Sequence, residues 1–528
     1  MNSDEPPGGP GRSWGRRRKR GLNGRVRPEV FVCGGFFRFA GFDSNPVRLS
    51  QKRNLARFPL SPSLKNQPII IIFLMQTDIF LKSVTPWTEH FAYRSPMKFG
   101  GRVVTDVTIL NVKVEVESRS GLTGTGYGSM TMGNAWAWIS STLSNDQTLR
   151  AMVEMGTKIC EVAAAYPEAG HPMEICHAVA QSYEKTAQGV MESQGLAGLG
   201  VFPKLAQLVA ASPLEAAIFD AYGKMLRMDS FNLLSGDFMN YDLSHYLNED
   251  FRGEFLDRYT LREPKEWLPL YHLVGGLDPL TDADIPQRLN DGLPETLGEW
   301  IEADGLTHLK IKLNGENLEQ DVARTVAVDA VAAEAQARRG CTHWVYSADF
   351  NEKCYGEDYV IDWLKLVTER APQAIGRLQY VEQPTNRDLK RKPVIEMFRA
   401  AQIRPVVIDE SLTDFDALLL SRKRGYSGVA LKACKGHHEA LLMGAAAQKY
   451  EMFLCVQDLT CPGASFLHSA SLAAHIPAVQ AIEGNGRQYC PSANERFVPL
   501  YPDVFKVQNG LIHTGRLCQP GLGFQVFD

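Results

Sequence analysis

The sequence predicts an α/β protein in which a modified TIM barrel, (β/α)7β, is joined to an α+β capping domain. Eight strand-like segments lie between Leu268 and Asn485, and amphipathic helical patterns separate consecutive segments. Strands that alternate with helices predict a parallel sheet, and eight in sequence favour a closed barrel. No helical pattern follows the eighth segment, so we expect a barrel without its eighth helix and a C-terminal tail that returns to the cap.

Length and composition limit the class of protein. A chain of 528 residues is too long for one ordinary core, and its 44% hydrophobic and 22% charged residues with a net charge of −4 are typical of a globular protein. This balance predicts neither a nucleic-acid partner nor a membrane partner. The ten cysteines contain no CxxC pair, which indicates reduced thiols and a cytoplasmic location.

The first 74 residues differ from the rest of the chain. They contain 14 Lys and Arg against 4 Asp and Glu, a net of +10 that leaves −14 for the remainder. We interpret residues 1–74 as a disordered tail or as translated upstream sequence, with Met75 as the first residue of the folded protein. The alternative is a nucleic-acid-binding arm or a targeting segment.

Residues 75–235 are predicted to form the capping domain. Asp106 to Ser118 alternates as a strand should, and a glycine-rich turn follows it. Helical patterns cover Leu149 to Tyr166 and Ser212 to Leu226, and the second is predicted to open with a capping box formed by Ser212 and Glu215. Sheet first and helices afterwards indicate an α+β unit.

Residues 236–267 are polar, aromatic-rich and irregular, and we interpret them as a long connection. Such a connection could be a lid over the site or a surface insertion that packs on the cap. The barrel is assigned to residues 268–486 and the C-terminal segment that completes the cap to residues 487–528.

Charged residues end five successive strands of the predicted barrel. They are Lys310 and Lys312, Asp349, Glu382, Asp409 and Lys432. The carboxyl ends of parallel strands meet at one face of a barrel, so these side chains should converge. Three carboxylates suit a hard cation, Mg²⁺ or alternatively Mn²⁺.

Neighbouring residues compete for the same roles. Lys310 and Lys312 are two apart and share a face, whereas Glu410 must face away from Asp409, so we assign Asp409 as the ligand. Lys435 is a weaker candidate than Lys432 because it lies beyond the strand. His437 and His438 begin a helix and are interpreted as capping or surface residues.

The ordered motifs resemble the mandelate racemase and muconate lactonizing enzyme family of the enolase superfamily, in particular its muconate lactonizing subgroup. The matching motifs are K-I-K at 310–312, D-F-N at 349–351, E-Q-P at 382–384, D-E-S at 409–411 and L-K at 431–432. The resemblance covers about Met75 to Asp528. It implies a Mg²⁺ site at the three carboxylates, Lys312 as base on one face of the substrate and Lys432 as acid or base on the other.

The chemistry that the resemblance implies needs these residue types. Removing the α-proton of a carboxylate requires stabilisation of the developing dianion, which a divalent cation supplies as a Lewis acid. Lys312 must be neutral before it acts, and the positive charge of Lys310 beside it favours the neutral form.

The sequence departs from the family pattern at strands seven and eight. Asp458 stands where racemases of the mandelate type have a histidine, so mandelate-type and sugar-acid-dehydrating reactions are not expected. Glu483 and Asn485 stand where dipeptide epimerases have a D-x-D that binds an ammonium group, so only partial recognition of that group is expected. Asn351 and Glu410 are predicted to support the metal ligands.

The predicted loop from Ala92 to Arg102 is the candidate specificity loop over the barrel mouth. Its residues Arg94, Lys98 and Arg102 could meet a second anionic group of the substrate, or they could form a solvated charged loop.

We therefore expect a Mg²⁺-dependent enzyme that removes the α-proton of a small carboxylate substrate. The first hypothesis is a racemase or epimerase of N-acyl amino acids or dipeptides. Its rivals are a muconate-type cycloisomerase and a dehydratase like o-succinylbenzoate synthase, and a more distant one is a non-catalytic barrel. A homo-oligomer is expected from the resemblance alone.

Overall fold

The computed structural model describes residues 75–99 and 102–526. The interpretation of residues 1–74 therefore lies outside the described residues, as do the two glycines at the tip of the predicted specificity loop. Within the described ranges, no helix is both long and apolar enough to cross a membrane.

The cap begins with a three-stranded antiparallel sheet in the order β1-β2-β3. Its strands are β1 (Ile79–Phe99), β2 (Arg102–Ser118) and β3 (Thr123–Thr131). Five helices follow: α1 (Asn134–Ala137), α2 (Asn145–Ala164), α3 (Pro172–Ala180), α4 (Tyr183–Ser193) and α5 (Lys204–Leu226). The alternating apolar residues of β2 face these helices, because a half-buried strand buries every second side chain.

Helix α5 corrects the prediction for the end of the cap. It starts eight residues before Ser212 and continues through Pro213, so Ser212 and Glu215 form no capping box. Ser212 Oγ donates instead to Val209 O at 2.9 Å. The apolar residues before Ser212 extend the helix, which is buried along nearly its whole length. β3 lies so close to α5 that a Cβ on Gly128 would be 1.9 Å from Pro213 O.

The barrel consists of eight parallel strands. They are β4 (Leu268–Val274), β5 (His308–Lys312), β6 (Val345–Asp349), β7 (Leu378–Glu382), β8 (Val406–Ile408), β9 (Gly428–Leu431), β10 (Phe453–Val456) and β11 (Ile482–Glu483). Each strand pairs with the next, and β11 pairs with β4 to close the barrel. Inward side chains such as Tyr271, Tyr380 and Val407 fill its interior.

Helices fill all seven intervals between the strands. They are α6 (Leu297–Asp304), α7 (Leu318–Arg339), α8 (Glu357–Arg370), α9 (Pro372–Arg377), α10 (Phe398–Ile403), α11 (Phe415–Lys423), α12 (His437–Lys449) and α13 (Gly463–His475). After β11 the described residues form α14 (Gly486–Tyr489), α15 (Pro502–Phe505), two 3-10 turns and a short strand, β12 (Leu511–Ile512), antiparallel to β4, but no further barrel helix. The predicted (β/α)7β barrel is confirmed.

The C-terminal tail returns to the cap. Ser230 N donates to Gly521 O at 2.8 Å, and Leu522 N donates to the Asp220 carboxylate of α5 at 3.0 Å. The expected contribution of the tail to the capping domain is therefore present.

The connection at residues 236–267 packs away from the barrel mouth. At the end of α12, Lys449 Nζ donates to Glu254 Oε1 at 3.0 Å. The next residue, Tyr450, donates its hydroxyl to Asp250 Oδ2 at 2.9 Å. Leu261 N donates to His475 O, at the end of α13, at 2.7 Å. Barrel helices run opposite to the strands, so their C-terminal ends lie at the face remote from the carboxyl ends of the strands. These contacts place the segment at that remote face and not as a lid over the site.

The burial of His171 leads us to expect that the folded state loses stability at acidic pH. It accepts from Met173 N at the start of α3 and contacts Leu233 O, and burial lowers its pKa to about 3. Unfolding lets this imidazole bind a proton below about pH 6.5, so the folded state loses stability as the pH falls. Asn can replace the capping acceptor without titrating. The free energy of unfolding should fall by about 3 kcal/mol less in His171→Asn than in the wild type when the pH is lowered from 7 to 4. Urea unfolding at the two pH values measures this difference. Parallel pH curves for the two proteins would contradict this assignment.

Candidate active site

The barrel strands bring the predicted charged residues into one layer at their carboxyl ends. Lys312 is the cross-strand neighbour of Asp349, which in turn neighbours Glu382. Asp409 follows β8 directly and Lys432 follows β9 directly. The three carboxylates therefore lie on strands between those that carry the two lysines.

Lys310 lies at the centre of the carboxylates. Its Nζ is 2.8 Å from Glu382 Oε1, 2.8 Å from Glu483 Oε2 and 3.3 Å from Asp349 Oδ2, and the residue is 1% exposed. Burial by itself lowers the pKa of Lys310, but the surrounding carboxylates outweigh it and hold the pKa well above its usual value. Lys310 is therefore a fixed positive charge.

Lys312 is the most accessible of these lysines. It forms an ion pair with Asp349 and donates to Asn351 Oδ1 at 3.2 Å. Its side chain is 11% exposed and borders an open cavity of about 350 Å³ at the barrel mouth. Asn351, predicted to support the ligands, donates its backbone N–H to Asp349 Oδ1 at 2.8 Å.

Lys432 is buried on the other side of the site. Its Nζ is 2.9 Å from Asp409 Oδ2 and donates to the backbone oxygen of Asp458 at 3.3 Å. Lys435 also reaches the site, contrary to the lower rank that the sequence suggested, because its Nζ is 3.0 Å from Asp409 Oδ1. One 3-10 turn separates the two lysines, and its three-residue period turns both toward Asp409. The K-x-x-K spacing was the signal for this placement.

The three carboxylates differ in charge state. Burial opposes ionisation of Asp409, but Lys432 and Lys435 outweigh it and lower the pKa of Asp409 to about 2. Lys312 and Lys310 lower the pKa of Asp349 in the same way, against its burial. Burial and repulsion by Asp349 raise the pKa of Glu382 to about 8.

The donor set suits a hard divalent cation. Asp349, Glu382 and Asp409 are buried carboxylates, and oxygen ligands of this kind are those that Mg²⁺ prefers. In the described part of the chain, no three acidic, histidine or cysteine side chains are grouped closely enough to hold an ion as they stand. The carboxylates face lysine ammonium groups, so ligation requires them to rotate.

Glu410 faces the cap, as its neighbour relation to Asp409 predicts. It accepts a hydrogen bond at 2.8 Å from the indole nitrogen of Trp136 in α1. Arg387, which the sequence did not single out, donates to Trp136 O at 3.0 Å and pairs with Glu352. These contacts attach the cap to the rim of the barrel.

Asp458, Glu483 and Asn485 form one hydrogen-bonded group. The Asn485 amide donates to Glu483 Oε1 at 2.7 Å and to Asp458 Oδ1 at 3.3 Å. Burial and repulsion by Glu483 raise the pKa of Asp458 to about 7. Gln457, absent from the sequence prediction, donates to Glu382 Oε2 at 2.5 Å; it lies within the buried run before Asp458 and carries no signal of its own.

The predicted specificity loop is part of a β-hairpin, since β1 runs to Phe99 and β2 starts at Arg102. Arg94 pairs with Asp291 at 2.8 Å, and Arg102 donates to Ser140 O at 2.7 Å, so neither guanidinium is free for a substrate anion. Lys98 alone remains beside the mouth cavity. The hairpin turns its arginines to acidic and carbonyl partners that are far away in the sequence.

His437 and His438 correct a further interpretation. They begin α12, but both are buried, and neither is a surface residue. His438 Nδ1 is 2.8 Å from Glu215 Oε2, and His437 Nδ1 is 2.9 Å from His468 Nε2. They belong to the junction between the cap and the barrel.

A protein-family model described as enolase C-terminal domain-like matches residues 293–528. The matched residues cover the barrel from α6 onward and the C-terminal tail. A hydrophobic dipeptide epimerase of Enterococcus faecalis is 29% identical over 235 residues, which cover 42% of this chain. The chain spans 58% of the length of that relative.

Several solved structures share the fold of this chain. Muconate lactonizing enzyme from Pseudomonas fluorescens has a TM-score of 0.52 at 17% identity and covers 85% of this chain and 97% of its own. Dipeptide epimerase from Enterococcus faecalis, complexed with Mg and L-Leu-L-Tyr, has a TM-score of 0.53 at 17% identity. It covers 84% of this chain and 99% of its own. N-succinyl Arg/Lys racemase from Bacillus cereus has a TM-score of 0.52 at 16% identity. It covers 85% of this chain and 96% of its own. The cap and the barrel are thus common to enzymes with different substrates.

Proposed function

We propose that the protein is a Mg²⁺-dependent isomerase that removes the α-proton of a carboxylate substrate, as a racemase or epimerase of N-acyl amino acids or dipeptides. The observation that carries this proposal is the placement of Lys312 and Lys432 on strands that flank the three carboxylate-bearing strands. A proton removed from one face by one lysine can be replaced on the other face by the second. That sequence inverts the stereocentre.

The residues divide the work as follows. Lys312, which borders the open cavity, takes the α-proton of one enantiomer, and Lys432 takes it from the other. Lys310 stays protonated and offsets the charge of Asp349, Glu382 and Glu483. A general acid or base in this position contributes about 100-fold to 10,000-fold in rate.

Asp349, Glu382 and Asp409 would hold the cation. When bound, Mg²⁺ or Mn²⁺ would act as a Lewis acid on the substrate carboxylate and offset the charge that develops on deprotonation. The protein's own contribution is a buried, lysine-rich surround that excludes water from the reacting carbon. The Mg-complexed dipeptide epimerase from Enterococcus faecalis supports this choice of cation.

The acidic group at strand eight favours an N-acyl substrate over one with a free ammonium group. Both oxygens of Glu483 are engaged, one by Lys310 and one by Asn485. Asp458 accepts from the backbone N–H groups of Thr460 and Cys461. An incoming ammonium would therefore have to compete with Lys310 and Asn485 for Glu483, whereas an N-acyl group would not.

A matched pair of substrates tests this preference. N-acetyl-phenylalanine and glycyl-phenylalanine differ only in the ammonium group, and we expect kcat/KM for α-proton exchange to favour the acetyl compound by about tenfold or more. A preference for the dipeptide would show that Glu483 or Asp458 is released to bind the ammonium. N-acetyl-leucine and glycyl-leucine repeat the comparison with another side chain.

The experiment that tests the proposed function is α-proton exchange in D2O, followed by NMR, with Mg²⁺ present. The candidates are N-acyl amino acids, dipeptides and muconate-like diacids. Exchange that disappears on chelation and returns with Mg²⁺ is the expected result. Labelling with inversion supports a racemase or epimerase, whereas ring closure or loss of water would establish the cycloisomerase or the dehydratase instead. Tight Mg²⁺ binding without exchange in any class would contradict the proposal.

A further inference from the structure

Two aromatic rings of the cap lie against the two lysines of the site. The ring of Phe99, at the end of β1, is 5.7 Å from Lys312 Nζ. The ring of Trp136, in α1, is 4.7 Å from Lys432 Nζ. Both distances lie within the range of a cation–π contact, about 6 Å from the nitrogen to the ring centre.

Each ring is held in place by the rest of the molecule. Trp136 is fixed at two points, since its indole N–H donates to Glu410 at 2.8 Å and its backbone oxygen accepts from Arg387 at 3.0 Å. Phe99 packs with Met97, which is buried against the end of β4 by Leu273 and Tyr489. Both residues also line one cavity of about 100 Å³, whose other lining residues belong to the cap except Leu459.

We infer that Phe99 and Trp136 are positioning residues for the proposed reaction, each serving one lysine and therefore one face of the substrate. This inference rests on the proposed function. An aromatic face beside an ammonium restricts the directions that the lysine can point and keeps water from that side. Lys312 depends on the hairpin tip, and Lys432 depends on α1, so the two half-reactions are supported by different parts of the cap.

If each ring serves one lysine, replacing the two rings should lower exchange from opposite enantiomers. Trp136→Leu should lower α-proton exchange from the enantiomer served by Lys432 by about fivefold more than from its mirror image, as expected for loss of one cation–π contact. Phe99→Leu should show the reverse preference. Lys312→Ala and Lys432→Ala, measured in the same D2O assay on the separate enantiomers, establish which enantiomer each lysine serves.

Two further variants separate positioning from folding. Trp136→Phe keeps a ring beside Lys432 but loses the donor to Glu410, and it should retain most of the exchange that Trp136→Leu loses. Trp344→Leu removes another buried tryptophan whose ring contacts Arg377 at 3.8 Å and whose N–H donates to Tyr346, outside the site. It should affect both enantiomers equally.

A second readout does not depend on activity. In the full-length protein labelled with [ε-13C]lysine, the methylene signals of Lys312 and Lys432, assigned from Lys312→Arg and Lys432→Arg, should be shifted by the neighbouring rings. Phe99→Leu should remove the shift at Lys312 and leave that of Lys432. Trp136→Leu should remove the shift at Lys432 and leave that of Lys312, and it should also change the signal of Lys435, whose Nζ is 5.8 Å from the same ring.

These measurements distinguish the two levels of inference. Two results would overturn the positioning roles. One is an equal loss of α-proton exchange for both enantiomers in Trp136→Leu and Phe99→Leu, and the other is lysine chemical shifts that neither substitution changes. A protein that exchanges no substrate but shows both ring-induced shifts would contradict the proposed function while the ring–lysine contacts stand.

Discussion

Lys312→Ala is expected to abolish α-proton exchange from one enantiomer of the substrate, with a loss of at least about 100-fold in kcat. Lys312 borders the mouth cavity and also forms an ion pair with the carboxylate of Asp349, so it lies between the cavity and the proposed metal ligands. Exchange from the opposite enantiomer should persist, because Lys432 lies on the other side of the carboxylates. The measurement is NMR of each enantiomer in D2O with saturating Mg²⁺.

Lys353→Ala is the matched control for this variant. Lys353 borders the same cavity but lies 3.6 Å from Glu316 and is 43% exposed. It should change kcat less than about threefold, since exposed ion pairs contribute little. Equal losses in both lysine variants would show that the cavity's charge, and not a base at position 312, supports the reaction.

Lys310→Met is expected to have the largest effect on stability. It leaves the buried carboxylates of Glu382, Glu483 and Asp349 without their shared cation. Removing one partner of a buried ion pair costs about 3–5 kcal/mol. The expected result is a large fall in the urea midpoint, measured on the full-length protein without divalent cations.

Added Mg²⁺ should recover part of the stability lost in Lys310→Met, because a cation held by the carboxylates replaces some of the missing charge. Lys353→Met again serves as the exposed control, with a cost below about 1 kcal/mol. A variant as stable as the wild type would mean that the carboxylates are protonated and do not require Lys310.

Most of the barrel and the charged layer could be predicted from the sequence because both depend on local rules. A strand buries alternate side chains, and the residue after a parallel strand lies at the carboxyl face of the barrel. Lys310 and Lys312, two apart on β5, therefore share the interior without any knowledge of their partners. Lys435 lies one 3-10 turn beyond β9, where strand alternation does not apply, and it was ranked too low.

Two differences from the sequence analysis concern partners that are far apart in the chain. Arg94 was considered either for a second anionic group of the substrate or for a solvated loop, but Asp291, 197 residues away, pairs with it. Glu215 was expected to cap a helix, but it pairs with His438, 223 residues away. In each case a buried or half-buried charge takes the partner that folding brings nearest, and no local pattern encodes that partner.

The sequence by itself thus determined the fold class and the order of the charged strand ends, because period and strand polarity are properties of short segments. Only the tertiary structure decided which lysine is accessible, that Lys435 shares Asp409, and that Trp136 reaches Glu410 across 274 residues. Those features depend on how the cap packs on the barrel, where a few ångströms separate a contact from open solvent.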